Sequence, residues 1–281
     1  MKPSKGILVV AQNNKNVDYV EQACLLAMSL HATTPGIKIS INTNDSVPDE
    51  YIDLFDNVIP ILWADDAEES DWKIENRWKV YHTTPYDETI VMDTDILVLE
   101  DINYLWDFYK NYDLFFTSKV YTYKSELITN DYYRKVFTEN NLPNLYSGLY
   151  YFKKNDFSSE FFENLKLVTH NWELFYGKFV PNEYPDRYSV DVSCAIVAKM
   201  MDCIQDITNP TVNFPLFVHM KPKVQNWRTP MNRWQDKVGV YVNNNCNIKL
   251  GNHLQRGIFH YTENDFITPD IINKYRKLVN V

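Results

Sequence analysis

The chain reaches Thr89-Ile90-Val91-Met92-Asp93-Thr94-Asp95-Ile96-Leu97-Val98 after three alternations of strand and helix. Thr89 to Met92 is a short continuous apolar run of the kind buried on both faces of a sheet. The two carboxylates that follow stand two residues apart at the strand end, project to one side, and run straight into a second apolar stretch. Two unpaired anions between apolar runs would cost several kcal/mol, so a cation is expected to meet them. Oxygen ligands favour a hard divalent ion, Mg or Mn. The competing structural reading has both aspartates capping the next turn or pairing with Lys or Arg.

Upstream, Ile7 to Val10 reads as a buried strand. Asn16 or Asp18 can cap a helix carrying Val20, Cys24, Ala27 and Met28 at helical spacing, which stops before Pro35-Gly36. Ile37 to Ile41 is a strand, Pro48-Asp49-Glu50 opens a second helix, Val58 to Leu62 is a strand, and Trp72 to Tyr81 is a third helix. The β-α-β-α-β-α-β order predicts an α/β fold with a mostly parallel sheet flanked by helices. Ligands of such sheets sit beyond the carboxyl ends of the strands. Those ends carry Ala11-Gln12-Asn13, Thr43-Asn44-Asp45 and Asp93-Thr94-Asp95, and ordinary turn chemistry is the rival account of the first two.

The second half is less regular. Leu145 to Phe152, Phe214 to Val218 and Ile258 to Tyr261 read as strands, and Asp156 to Val168, Val190 to Met201 and Pro269 to Leu278 as helices. No linker or repeat interrupts the chain, which predicts one domain over 1–281, residues 1–100 binding nucleotide and 101–281 completing the metal site and holding the acceptor.

Composition removes several function classes. Lys and Arg number 28 against 37 Asp and Glu, a net charge of −9, which argues against a generally basic coat for nucleic acid but allows a local patch. None of the seven glycines stands in G-x-G-x-x-G or G-x-x-x-x-G-K-[ST], excluding the dinucleotide fingerprint and the P-loop. The four cysteines form no C-x-x-C pair, pointing to a reducing compartment. No apolar run approaches the ~18 residues of a membrane span, and the first residues pass directly into a strand without a signal-like segment. A cytoplasmic protein is expected.

The Asp93-x-Asp95 motif after a buried strand, in a βαβ chain with a polar loop after its first strand, resembles the nucleotide-sugar signature of GT-A glycosyltransferases. More narrowly the chain resembles glycosyltransferase family 8, the glycogenin and bacterial galactosyltransferase group, and its phage-encoded relatives. Lys73 to Tyr81 stands where that family has a basic residue near the diphosphate, and Lys79 is the candidate. Leu145 to Phe152 resembles the family's N-S-G strand, with Tyr146 in place of Asn before Ser147-Gly148. Ser189-Val190-Asp191-Val192 occupies the place of an Asp-Gln pair and lacks the Gln. Gly257 to Tyr261 resembles the strand whose histidine, His260, completes the metal site, with His219 its rival. Nothing after His260 matches the family's G-x-x-K-P-W, and Lys221 is the candidate for holding the leaving phosphate.

The resemblance implies a metal-dependent hexosyl- or pentosyltransferase that moves a sugar from a nucleotide sugar, UDP-linked, to a hydroxyl acceptor with retention. Asp95 and His260 would ligate Mn or Mg, and Asp93 would bridge metal and ribose. Ala11, Gln12, Asn13 and Asp45 would frame base and ribose, with Thr94, Ser147, Gly148, Lys79 and Lys221 also on the donor. Asp191 would be the catalytic residue beside the reacting sugar; capping the helix Val192 to Met201 is its structural alternative. The rivals in function are a haloacid-dehalogenase-like phosphatase, whose D-x-D normally lies on the first strand, and a non-catalytic nucleotide-sugar-binding protein.

The stretch 221–237 carries Lys221, Lys223, Arg228, Arg233 and Lys237 against the single acid Asp236, with Trp227 and Trp234 between them. Cations interleaved with tryptophans suit stacking on a base or sugar beside a phosphate. Trp227, Arg228 and Trp234 are therefore the acceptor-binding candidates, for a glycan or for a hydroxymethylated DNA base flipped from its duplex. Packing of the tryptophans under the loop is the bland alternative.

Overall fold

The structure is a computed structural model that describes residues 4–129, 132–181, 187–209, 211–227 and 232–281. Its strands are β1 (Lys5–Val10), β2 (Ile39–Asn42), β3 (Asn57–Ile59), β4 (Glu88–Met92), β5 (Ile96–Val98) and β6 (Leu114–Thr117). They continue as β7 (Tyr146–Lys153), β8 (Phe217–His219), β9 (Val240–Val242), β10 (Ile248–Leu250), β11 (His253–Leu254) and β12 (Ile258–His260). The main sheet runs β3-β2-β1-β4-β7-β6. Its first four strands are parallel, β7 pairs antiparallel with β4, and β6 pairs antiparallel with β7 and so runs with the first four.

Alternation explains how β1 sits at the centre of this sheet. Ile7 and Val9 enter one hydrophobic core and Leu8 and Val10 the other, so every second residue faces the same way and both faces are apolar. The helix Tyr19–Thr33 packs into the first core and the helices Asp156–His170 and Val190–Met200 into the second. The first of these starts where Asp18 accepts the amide of Glu21, and the chain turns away at Gly36, whose φ of +73° suits glycine.

A second sheet, β5-β12-β8, abuts the first. The chain leaves β4 in the main sheet, makes the turn Asp93-Thr94-Asp95, and enters β5 in the other sheet. Both aspartates are held by their backbones: Asp93 N donates to Gly148 O (2.9 Å), and Asp95 O accepts from Tyr261 N (3.1 Å). The turn is thus tied to one sheet on each side.

Three local expectations are corrected. The strand expected over Val58–Leu62 is β3 and stops at Ile59, because Pro60 has no N–H to extend a ladder. The helix expected from Pro48 is a 3-10 turn, Asp49–Leu54. The helix expected over Trp72–Tyr81 is a 3-10 turn, Glu75–Lys79, leading into a single helical turn, Val80–Thr83. Asn76, Arg77, Trp78 and Lys79 are all buried in that 3-10 turn. The small sheet β11-β10-β9 was not foreseen; its strands are two or three residues long and too short for a periodic signal. Among the described residues no helix is long and apolar enough to cross a membrane.

Tyr86 lies across Gly6 of β1 with its hydroxyl on Ser40 Oγ (2.8 Å), and a Cβ on Gly6 would fall 2.3 Å from its ring. Gly6→Ala is expected to destabilise the protein by about 1–3 kcal/mol through overpacking. Urea unfolding measures this, and Tyr86→Ala in the same chain should relieve the Gly6→Ala increment.

Candidate active site

Asp93, Asp95 and His260 bring one oxygen, one oxygen and one nitrogen within 4.8 Å of one another. Strand register explains this meeting of residues distant in sequence: β12 pairs with β5 so that His260 lies opposite Ile96, one residue past Asp95. His260 Nε2 lies 2.9 Å from Asp95 Oδ1, and Arg77 Nη2 donates to Asp93 Oδ1 at 2.7 Å. Gly148 is what lets Asp93 lie there, since a Cβ on it would stand 2.8 Å from Asp93 Oδ2 and 3.5 Å from His260 Cε1.

The charges do not balance within the trio. Burial, aided by the Asp95 charge, holds the Asp93 carboxyl above the usual carboxylate range despite Arg77. Burial also opposes ionisation of Asp95, but the charge and hydrogen bond of His260 outweigh it and hold Asp95 below that range. For His260, burial is outweighed by Asp95, and its pKa is raised. A carboxyl held up by burial and by a neighbouring anion would be relieved by added positive charge. Two carboxylate oxygens and an imidazole nitrogen form a donor set that suits Mg or Mn, so the residues present fit such an ion.

A cleft of about 440 Å³ opens over the trio. On its far wall Asp191 accepts from the Ser147 amide (2.9 Å) and hydroxyl through Oδ1, and from Arg134 Nη1 (2.7 Å) through Oδ2. Arg134 is itself locked, its guanidinium 4.0 Å from the Phe137 ring centre and 4.1 Å from that of Tyr146, with further bonds to Asn144 Oδ1 and Leu145 O. Burial would raise the Asp191 pKa, but Arg134 and Ser147 hold it below the usual value. Ser189, not Asp191, caps the helix Val190–Met200, its side chain accepting from Val192 N. The capping alternative for Asp191 is thereby removed.

A smaller cleft of about 170 Å³ adjoins on the other side of the D-x-D turn and takes in Gln12, Arg77, Asp93, Thr94 and Asp95. Gln12 donates to Asp65 Oδ2 and accepts from Asn76 Nδ2, both at 2.7 Å. Thr94 donates to Gln22 Oε1 (2.8 Å). Ala11 is fully buried, and Asp45 accepts from the Asn13 backbone amide (2.7 Å), so Ala11, Asn13 and Asp45 shape the loop after β1. Lys221 reaches the main cleft, its ammonium on the Tyr133 hydroxyl.

Other expected residues are placed elsewhere. Lys79 is neither in the clefts nor on the surface: it is 1% exposed, with its ammonium on Asn76 Oδ1 (2.6 Å) and Ala64 O. The basic residue of that segment that meets the D-x-D is Arg77, two positions earlier. Trp234 is fully buried, donating from Nε1 to Tyr261 O (2.6 Å), because the loop folds under the second sheet; it offers no stacking face. Trp227 packs half-buried beside Tyr123 and does not line the cleft. Arg228 lies outside the described residues. His219 stands behind His260, Nδ1 to Nδ1 at 2.9 Å, and burial drives its pKa well down. Arg77 and Arg134 were missed because an inward-facing arginine has no sequence signature apart from the carboxylate it meets.

The architecture is that of GT-A glycosyltransferases. The galactosyltransferase LgtC, solved with donor and acceptor sugar analogues, matches with a TM-score of 0.52 at 12% identity, over 98% of this chain and 95% of that one. Mouse xyloside xylosyltransferase 1 matches at 0.52 and 10% identity, over 94% and 99%. The glycosyltransferase GlyE of Streptococcus pneumoniae TIGR4 is 15% identical over 73% of this chain with a TM-score of 0.41, and this chain spans only 45% of its length. No protein-family model and no curated protein matches the sequence. At these identities the likeness is one of fold; family 8 and a phage source rest on the sequence motifs alone.

Two outcomes follow from the geometry. Gly148→Ala should push the Asp93 carboxylate aside and weaken the Mn affinity expected of the trio, which calorimetry measures, with a melting temperature near that of wild type as the check that the fold is kept. Asp191 has a folded-state pKa below its unfolded value of ~3.9. Its pairing therefore stabilises fully above the unfolded pKa and is lost as pH falls through the folded one. The stability gap between wild type and Asp191→Asn, on the order of 3 kcal/mol near neutrality for a broken buried pair, should shrink as the pH drops below about 4.

Proposed function

We propose that this chain is a metal-dependent glycosyltransferase that moves a sugar from a nucleotide sugar, UDP-linked by resemblance, to an acceptor hydroxyl. The observation that carries the reading is the convergence of Asp93, Asp95 and His260, with Arg77 behind them, at the floor of a cleft in a GT-A fold. Asp93, Asp95 and His260 would hold Mn or Mg, which supplies Lewis-acid stabilisation of the negative charge developing on the diphosphate as the sugar leaves. Arg77 adds a fixed positive charge on the same side. Lys221, at the rim, is the residue for the departing phosphate, in a chain without a glycine-rich cradle. Gln12, Asn13, Asp45 and Thr94 line or shape the side for base and ribose, and Ser147 and Gly148 the side for the sugar.

Asp191 is best suited to orienting hydroxyls. Held ionised by Arg134 and Ser147, it is a fixed acceptor and a weak base, so its effect falls on the placement of the reacting sugar. Among the described residues of the expected acceptor platform only Trp227 is left partly exposed, and it does not line the cleft, so we assign the acceptor to the hydroxyl compounds that the cleft itself can hold, glycans first. Neither the phosphatase nor the non-catalytic reading gains an observation.

The test is donor turnover and binding. Wild-type chain should release sugar slowly from one of a panel of UDP-sugars when Mn is added. UDP at a hundred times its dissociation constant should stabilise it by about 2.7 kcal/mol in the presence of Mn. Asp95→Ala should abolish that Mn-dependent shift, and a full shift in the variant would show the site to be misplaced.

A further inference from the structure

The pair His219–His260 is a contact the donor reading leaves unused. The two Nδ1 atoms are 2.9 Å apart, the rings are 4.6 Å between centroids, and the parallel β8–β12 register sets the residues side by side. Two imidazole nitrogens at that distance share one proton: with none the lone pairs oppose each other, and with two the N–H groups collide. His260 turns its other nitrogen, Nε2, to Asp95, the side on which an ion would sit. A ligating imidazole nitrogen carries no proton, so a neutral His260 bound to metal must keep its proton on Nδ1 and donate it to His219.

We propose that His219 is a positioning residue of the metal site, the acceptor that fixes the tautomer and ring orientation of His260. The inference rests on the metal reading above and deepens it. Metal-bound histidines usually give their second N–H to a carboxylate, a carbonyl or water, and losing that partner costs about 10–100-fold in metal affinity. Here an imidazole takes that role, and it is braced to do so. The His219 amide donates to Tyr121 O (3.0 Å), its carbonyl accepts from Gln225 Nε2 (2.6 Å), and Tyr146 meets its ring edge-on at 5.6 Å. Phe217 stacks on the His260 ring at 5.5 Å with 12° between planes, so neither ring is free to swing away.

The experiment is Mn titration by calorimetry on the full chain without donor, comparing wild type, His219→Leu and His219→Asn. The asparagine amide oxygen can stand near the place of Nδ1 and keep an acceptor there. His219→Leu should bind Mn about 10–100-fold more weakly, and His219→Asn within a few-fold of wild type. Nitrogen NMR of the Mg-loaded wild type should find His260 protonated on Nδ1 and His219 on Nε2. A leucine variant that binds Mn as wild type does, or the opposite tautomers, overturns the inference alone. An asparagine variant that melts like wild type yet loses as much affinity as a missing acceptor predicts also overturns it, and this arm and the NMR decide if the leucine variant does not fold. Wild-type chain that binds no Mn overturns the metal reading itself, and the inference with it.

Discussion

Two carboxylates at the end of a buried strand repel each other across a turn of three residues, and much of the cleft answers that repulsion. Arg77 meets one, His260 meets the other, and each aspartate's backbone is tied to a different sheet, so the turn cannot relieve the crowding by opening. Burial, with the Asp95 charge beside it, still holds the Asp93 carboxyl above its usual range despite Arg77. A site left short of positive charge is what a divalent ion needs, and an apolar substitution that made the turn more stable would remove the reason for the ion to bind.

The same logic, carried to completion, governs the opposite wall. Asp191 receives a guanidinium and two donors from Ser147, and Arg134 is sandwiched between two aromatic rings. Asp93 is under-compensated and Asp191 fully compensated, so two carboxylates facing one cleft are driven in opposite directions by their surroundings. The first is suited to a cation, and the second to accepting hydrogen bonds.

How much of this was legible in sequence depended on whether a residue's role was local. β1, β2 and β4 were readable because strands buried on both faces must be apolar throughout, and the helix after β1 because Asp18 and Pro35-Gly36 mark its ends. The D-x-D was readable because adjacent carboxylates between apolar runs have few explanations. His260 was reached only through family resemblance, since strand register between distant segments leaves no trace in one sequence. Lys79 and Arg77 were exchanged because both turn inward from the same short turn, and only the tertiary contacts separate the one that meets Asp93 from the one that meets Asn76. Trp234 was misjudged because charged neighbours made its loop look exposed, while the hydrogen bond that buries it joins it to a backbone carbonyl on a distant strand.

The D-x-D turn is also the seam between the two sheets, with His260 contributed from the far side of that seam. An ion held there would act as a staple between early and late segments of the chain, closing a loop far longer than any local contact does. An ion bound by the folded chain alone would stabilise it by that preference as well as place charge in the cleft. An ion would thus add to a joint that the β5–β12 pairing and the Tyr261–Asp95 bond already make, and a chelator would remove that addition along with the chemistry.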